Sequence, residues 1–560
     1  MAGYFNWADA EFEEERDLGP RYKVWVFSLE HTVRAATIFD LWLCTRYFDL
    51  VPFGCDYFQV PTSLGNDWRL KDGCIYCMVV EPPEEERPQR EVEFRKRITP
   101  WTEDFRKEYY KGVNAILKEA EKLKALVPEK LTDGELKRAF EDWLEFYNRA
   151  GQIHFVWMYA FCIAYGLFED LCKDLLGIDM HQRLFNDLMA GFENKYIESD
   201  RAQWQLGKLA KELELEPIFQ STADDRELLA KIGQAGERGK QWLGELRKFV
   251  DEYGWRTGLN WDVGTPSWVE EPRRALPGIR AYMVQPRYAV DDARPGLAKA
   301  REEAERNILS RVPQDQRDWF TMLMKAAQNA GCGNEEHPFY TEQLGNALGR
   351  HVFKEIEKRF AKWGVVKEPR DVYYLLPEEI DIRMILRFDA LKTVEIRKRQ
   401  HEEFRGAIAR GEVPMVIGDP GAIAELVPKD PMLGKTVISV PFVRPELKAD
   451  LYGTVGTPGR IEGTARVILD ESQFHEFMPG EILVTKATSA VWTPLFNAAK
   501  AVVTDGGGAL SHAAIIGREH GLPVVAGTLE GTMKIKTGMK IRVDGDAAAV
   551  YILERASPEA

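Results

Sequence analysis

The stretch that most constrains the fold runs from residue 504 to residue 527. An apolar segment at 501–503 leads into Thr504-Asp505-Gly506-Gly507-Gly508. Ala509-Leu510-Ser511-His512 follows, then an apolar-periodic run to His520, Gly521 and Pro523. Ser511 is a natural helix N-cap, because its side-chain oxygen can accept from a free first-turn N–H. Gly521 suits the left-handed position just past a helix, and Pro523 cannot extend one. The order is therefore strand, glycine loop, helix, strand, the signature of an α/β unit. It places His512 in the first turn of a helix, beside a loop of three glycines.

That position suits a histidine that carries a phosphoryl group. A neutral imidazole is a competent nucleophile near neutral pH. The adduct is anionic, and the N–H groups and positive dipole end of a helix N-terminus favour anions. Gly506, Gly507 and Gly508 let backbone amides approach phosphate oxygens closely. Thr504 and Ser511 offer hydroxyl donors. The plainer alternative is a histidine that merely opens a helix, but the full strand–loop–helix–strand context favours the phosphohistidine reading.

The rest of the chain divides around this unit. After residue 450, Gly, Val, Thr and Ala rise and short strands alternate with turns. Strands are expected at 464–469, 481–484, 501–503, 523–525, 540–543 and 550–553. Before it, apolar residues at three- and four-residue spacing predict helices over 103–126, 133–168, 295–363 and 377–410. Residues 254–286 read as irregular, and 413–450 as a few strands plus a linker. The expected fold is multidomain: a large, mainly α-helical acceptor-binding domain over 1–440, a linker at 441–450, and a compact α/β swivelling domain over 451–560.

Charge narrows the function classes. Acidic residues outnumber basic ones, 89 to 75, for a net charge of -14. A nucleic-acid binder needs a basic surface, so none is expected as a partner. The first twenty residues are acidic and lack a signal-peptide apolar core. No run is long and uninterrupted enough for a membrane span. The seven cysteines are odd in number and scattered, which points to a cytoplasmic location. Cys74 and Cys77 read as core residues of a strand rather than half a zinc site, and no metal site is expected on the chain.

At this point a family resemblance is visible. Residues 504–527, with Gly456-Thr457-Pro458-Gly459-Arg460-Ile461-Glu462-Gly463 and Gly480-Glu481-Ile482-Leu483-Val484-Thr485, resemble the mobile phosphohistidine domain of the phosphoenolpyruvate-utilising enzymes. That group includes phosphoenolpyruvate synthase, pyruvate phosphate dikinase and rifampicin phosphotransferase. The resemblance implies that His512 is the phosphorylated residue. Thr488-Ser489-Ala490-Val491-Trp492-Thr493-Pro494 departs from the pattern, lacking the acidic residue that often follows the first Thr. Upstream, Tyr253-Gly254-Trp255-Arg256 with Pro266-Ser267-Trp268-Val269-Glu270-Glu271-Pro272, and Lys362-Trp363-Gly364-Val365-Val366, look like the rifampicin phosphotransferase type. Phe58-Gln59-Val60-Pro61 and Ile153-His154-Phe155 fit the phosphohistidine-bearing subunit of phenylphosphate synthase. That resemblance implies ATP and phenol giving phenylphosphate, AMP and phosphate. No Walker-type loop or ATP-grasp stretch is read in 1–440, and no barrel is expected after the swivelling domain. ATP and Mg2+ are therefore expected on a separate ATP-grasp kinase subunit.

The acceptor site is less sharply marked. An acceptor hydroxyl needs a proton acceptor and cations for the moving oxygens. One candidate is the aromatic helix from Trp143 to Phe168, with His154 as base; its alternative is an ordinary buried core. A second is Glu335-Glu336-His337 with Arg350, where rifampicin enzymes carry an Arg-Glu-x-x-Lys pattern that only Glu336 matches. Arg256 is a third, as a phosphate clamp, against an ion pair with Glu252 or Asp262. The expected acceptor is a phenol. A non-aromatic metabolite or antibiotic, or a carrier role passing phosphate to a protein, stand as rivals.

Overall fold

A computed structural model describes residues 23–28, 36–179, 182–257, 262–283, 285, 287–410, 412–437, 445–469 and 471–554. The N-terminal segment and residues 441–444 of the expected linker lie outside them. The chain forms two compact units, each discontinuous. One comprises Met1–Ala164, Leu259–Thr265 and Tyr340–Val440; the other comprises Tyr165–Gly258, Pro266–Phe339 and Pro441–Ala560. The grouping differs from a single cut near residue 440, because two helical stretches, 165–258 and 266–339, fold with the C-terminal sheet. The fold class is a large helical region followed by a C-terminal α/β sheet domain.

In the first unit a four-stranded antiparallel sheet runs Asn66–Lys71, Cys74–Val79, Val24–Phe27, Val416–Gly418. Cys74–Val79 is buried along its whole length, and Cys74 and Cys77 are buried free thiols, as a central strand demands. The helices include Arg87–Glu103, Phe105–Lys124, Glu342–Trp363, Leu391–Ala409 and the start of a 44-residue helix, Asp133–Leu176. Asp104 separates the first two, capping the second by accepting the Lys107 N–H. Glu342–Trp363 approaches Asp133–Leu176 closely because it presents glycine. A Cβ at Gly349 would lie 2.5 Å from the Trp143 indole, and one at Gly345 2.8 Å from Tyr147. Trp143 Nε1 then donates to the Gly345 carbonyl at 2.8 Å.

Two expectations change here. The stretch 413–450 holds one described strand before residue 438, Val416–Gly418, and otherwise short helical turns. Buried Asp430 explains the turns: its carboxylate accepts the N–H groups of Met432 and Leu433 and the hydroxyls of Ser63 and Tyr159. Among the described residues, Asp133–Leu176 is the one helix long and apolar enough to cross a membrane, yet 67% of its most apolar window is buried against the rest of the chain.

In the second unit, helices Lys195–Glu212, Glu237–Tyr253 and Leu276–Met283 close on a core of Leu206, Trp242, Leu246, Phe249 and Ile279. The C-terminal sheet has eight strands, ordered Leu451–Tyr452, Ala549–Glu554, Lys540–Asp544, Arg460–Val467, Ile482–Thr485, Ala501–Thr504, Val524–Ala526, Thr454–Thr457. The four from Arg460–Val467 to Val524–Ala526 are parallel, and the outer pairs are antiparallel. All six expected strands are present within one to four residues. The two that sequence reading missed, Leu451–Tyr452 and Thr454–Thr457, are short and lie at the sheet edges. Helix His512–His520 packs on the sheet through Gly517, where a Cβ would come 2.3 Å from Val524 Cγ2.

Candidate functional site

The glycine loop is held by its own backbone. Ala501–Thr504 ends with the Thr504 hydroxyl donating to the Gly506 carbonyl at 2.8 Å. The Gly506 N–H reaches the Lys486 carbonyl, and the Gly527 N–H returns to the Gly506 carbonyl. Gly507 has φ +96°, which an L side chain rarely adopts. Buried Asp505 fastens the loop from beneath by accepting the Thr532 N–H at 2.9 Å.

Ser511 does stand at the N-cap with extended backbone, but its hydroxyl donates to the Gly508 carbonyl at 2.8 Å. Its side chain caps no first-turn N–H, so those donors stay available to an anion. The hydroxyls of Thr504 and Ser511 thus shape the loop rather than project from it. Gly521 closes the helix in the left-handed conformation, φ +66°.

His512 is half-buried, with its ring edge-on to Phe496 at 5.7 Å. Its Nδ1 is 2.8 Å from the Thr488 hydroxyl, and its Nε2 is 3.5 Å from Glu335 Oε1. Neither His512 Nε2 nor Glu335 Oε1 has any hydrogen-bond partner. Burial, aided by the neighbouring His520, pushes the His512 imidazole down to about 3, so the ring is neutral. With the proton on Nδ1 and donated to Thr488, the lone pair sits on Nε2. Glu335 is raised well above the carboxylate range, first by burial and then by the charges of Asp200, Glu519 and Glu336, against Arg518.

Helical segments of the same unit hold the His512 helix. Asn334 Nδ2 donates to the Leu510 carbonyl at 2.7 Å. Glu519 accepts the N–H groups of Gly191 and Phe192 at 3.1 and 2.9 Å. Arg518 donates to the carbonyls of Gly456 and Ala509. The ring therefore faces the helix Arg317–Tyr340, and the residue in front of it is Glu335.

The remaining candidates sort as follows. Glu336 accepts the Lys195 N–H at 3.2 Å, and His337 Nδ1 donates to the Asn334 carbonyl at 2.7 Å. Arg256, also in the second unit, is buried, lies 4.0 Å over the Trp268 ring and donates to the Ser199 hydroxyl at 3.0 Å, with no ion pair to Glu252. Its Nε has no partner. Arg350 and His154 belong to the first unit. Arg350 is buried against Glu357 and donates to the Tyr373 hydroxyl at 2.9 Å. His154 Nδ1 lies 3.0 Å from Glu342 Oε1, with its ring packed on Tyr47 and Phe155. Trp143, Phe146, Tyr147, Phe155, Trp157 and Tyr159 are buried core residues there. Sequence reasoning gave Thr488 no role and chose Glu336 rather than Glu335. The altered Thr488 segment was the one visible signal.

A half-buried imidazole above a glycine loop, on a parallel sheet, is the arrangement that the sequence resemblance implies. Comparison with known proteins agrees: residues 477–548 match the PEP-utilising enzyme mobile domain, and residues 154–335 match the rifampicin phosphotransferase fourth domain. An uncharacterized phosphotransferase, YvkC, of Bacillus subtilis is 28% identical over 74% of this chain and 49% of its own length. A rifampicin phosphotransferase of Streptomyces sviceus is 28% identical over 60% of this chain and 37% of its own. A probable phosphoenolpyruvate synthase of Staphylothermus marinus is 42% identical over 21% of this chain and 14% of its own. The chain is thus related to the phosphoenolpyruvate-utilising enzymes and to the rifampicin phosphotransferases. It spans about half the length, or less, of these curated relatives.

Proposed function

We propose that the chain is a dikinase-type phosphotransferase component, which carries a phosphoryl group on His512 Nε2 and delivers it to the hydroxyl of a small acceptor. The observation that carries this reading is the pair of facing, unpartnered atoms, His512 Nε2 and Glu335 Oε1. One is a neutral nucleophile at a helix N-terminus. The other is a proton-accepting group on a different element. In this reading a separate ATP-grasp subunit, with ATP and Mg2+, charges His512 and releases AMP and phosphate. The α/β domain then discharges to the acceptor. The acceptor proposed first is a phenol, from the resemblance to phenylphosphate synthase; the overall reaction is ATP, phenol and water to phenylphosphate, AMP and phosphate. Relatives named rifampicin phosphotransferase make a larger hydroxyl compound the natural second acceptor to assay.

The test combines the chain, its ATP-grasp partner, β-labelled ATP and phenol. The reading requires acid-labile, base-stable label on the chain, absent in His512→Ala and chased into phenylphosphate. Label that passes only to a protein makes the chain a phosphocarrier. No label on a folded chain rejects the reading.

A further inference from the structure

We propose that Glu335 is the catalytic base of the delivery step, taking the proton of the acceptor hydroxyl as the phosphoryl group leaves His512 Nε2. This rests on the reading above and assigns the group that activates the acceptor. The position supports it first. Glu335 Oε1 is 3.5 Å from the nitrogen that would bear phosphorus, a carboxylate within reach of a hydroxyl that attacks there. Its helix, Arg317–Tyr340, is tied to the His512 loop by the Asn334–Leu510 hydrogen bond at 2.7 Å, so the distance is held by the residue next to it. Glu336, by contrast, is turned to the Lys195 N–H.

The charge state supports it next. A carboxylate beside a phosphoryl dianion is repulsive, and so is a bare carboxylate beside an imidazole lone pair. Both conflicts vanish when a proton lies between them. An acceptor hydroxyl supplies that proton before transfer, and the neutral carboxyl keeps it afterwards. Burial pushes the Glu335 carboxyl up and the His512 ring down, the directions in which the carboxyl retains that proton and the ring stays neutral.

The step balances. The acceptor oxygen forms the O–P bond and the Nε2–P bond breaks, returning its electron pair to Nε2. The hydroxyl proton moves to Glu335, leaving a phosphate ester, a neutral imidazole and a carboxylic acid. Loss of that proton to solvent resets the base.

The test uses the full chain charged with phosphoramidate, so that no partner is needed, and follows decay of phosphohistidine in buffer and with phenol from pH 5 to 9. Water and phenol both lose a proton on attack. In the wild type the decay rate should rise with pH through a midpoint above the ordinary carboxylate range. Glu335→Gln, once charged, should decay about a hundredfold or more slowly and lose the rising limb. Glu335→Asp should recover part of the rate and keep the limb. Equal rates and pH profiles in wild type and Gln variant, with either nucleophile, overturn the inference while leaving the phosphohistidine intact. Failure of the wild type to charge overturns the underlying reading instead. A Gln variant that does not charge is replaced in the comparison by Glu335→Ala, whose unchanged profile and rate would equally overturn the role.

Discussion

Each unit of this protein buries one histidine against one glutamate, and the two pairs are built to opposite ends. In the first unit, His154 sits mid-helix among aromatic rings and meets Glu342 at 3.0 Å. Glu342 also accepts from the neighbouring Thr341 hydroxyl, so the pair belongs to a connected polar cluster inside a dense core. In the second unit, His512 opens a helix above a glycine loop, and the atoms it and Glu335 present to each other have no other partner. Buried polar atoms are normally satisfied because orphaned ones cost about 1–3 kcal/mol each. A pair knit into a core cluster holds a fold together. A pair left open, at a helix N-terminus and on two separate elements, marks where a third group is meant to sit.

Substitution separates the two pairs most sharply at the ring itself. His512→Ala should abolish phosphorylation altogether, measured as acid-labile label, while the chain stays folded. His154→Gln should leave labelling of His512 intact and lower stability by about 1–3 kcal/mol, measured by urea unfolding. If His154→Gln instead removed labelling without unfolding the chain, the contrast would break. Between these lies Gly517→Ala, which puts a methyl group 2.3 Å from Val524 Cγ2. Overpacking of that kind costs about 1–3 kcal/mol and should push the His512 helix off the sheet, cutting the charging rate along with stability.

The last effect appears only in acid. His520, next to the site, is buried and pushed down to about 4 from its usual 6.5. A depressed histidine contributes stability that is fully present above pH 6.5 and lost as pH falls toward 4, because the unfolded ring binds a proton that the folded one refuses. His520→Gln should therefore flatten the acid side of the stability curve of the C-terminal sheet by up to about 1.4 kcal/mol per pH unit within that window. Amide hydrogen exchange of Val502 and Val503 would report it. Steeper acid loss in the variant than in the wild type would reverse the assigned sign.

How much of this was legible in the sequence depended on range. The unit at 501–527 could be read almost completely, since its strand, turn glycines, N-cap position and helix stop are all local choices. The rest of the sheet followed from alternating short apolar runs, apart from two edge strands too brief to stand out. Arg350 reads as a phosphate ligand in isolation, yet its partner Glu357 lies two helical turns on, where a buried ion pair forms easily. The aromatic helix from Trp143 onward has the periodicity of a core and of a pocket wall alike, and only Gly345 and Gly349, packed on its rings, reveal a core. The motif favoured Glu336, whereas a tertiary contact with another element sets Glu335 opposite His512.

The central claim is that the open nitrogen of one imidazole is where phosphorus binds. It is tested most directly by charging the intact chain and locating the adduct by mass mapping and phosphorus–nitrogen coupling in NMR. The account predicts one phosphoryl group per chain, on His512, bonded to Nε2. A stable adduct on any other side chain, or on the Nδ1 that Thr488 holds, would contradict it.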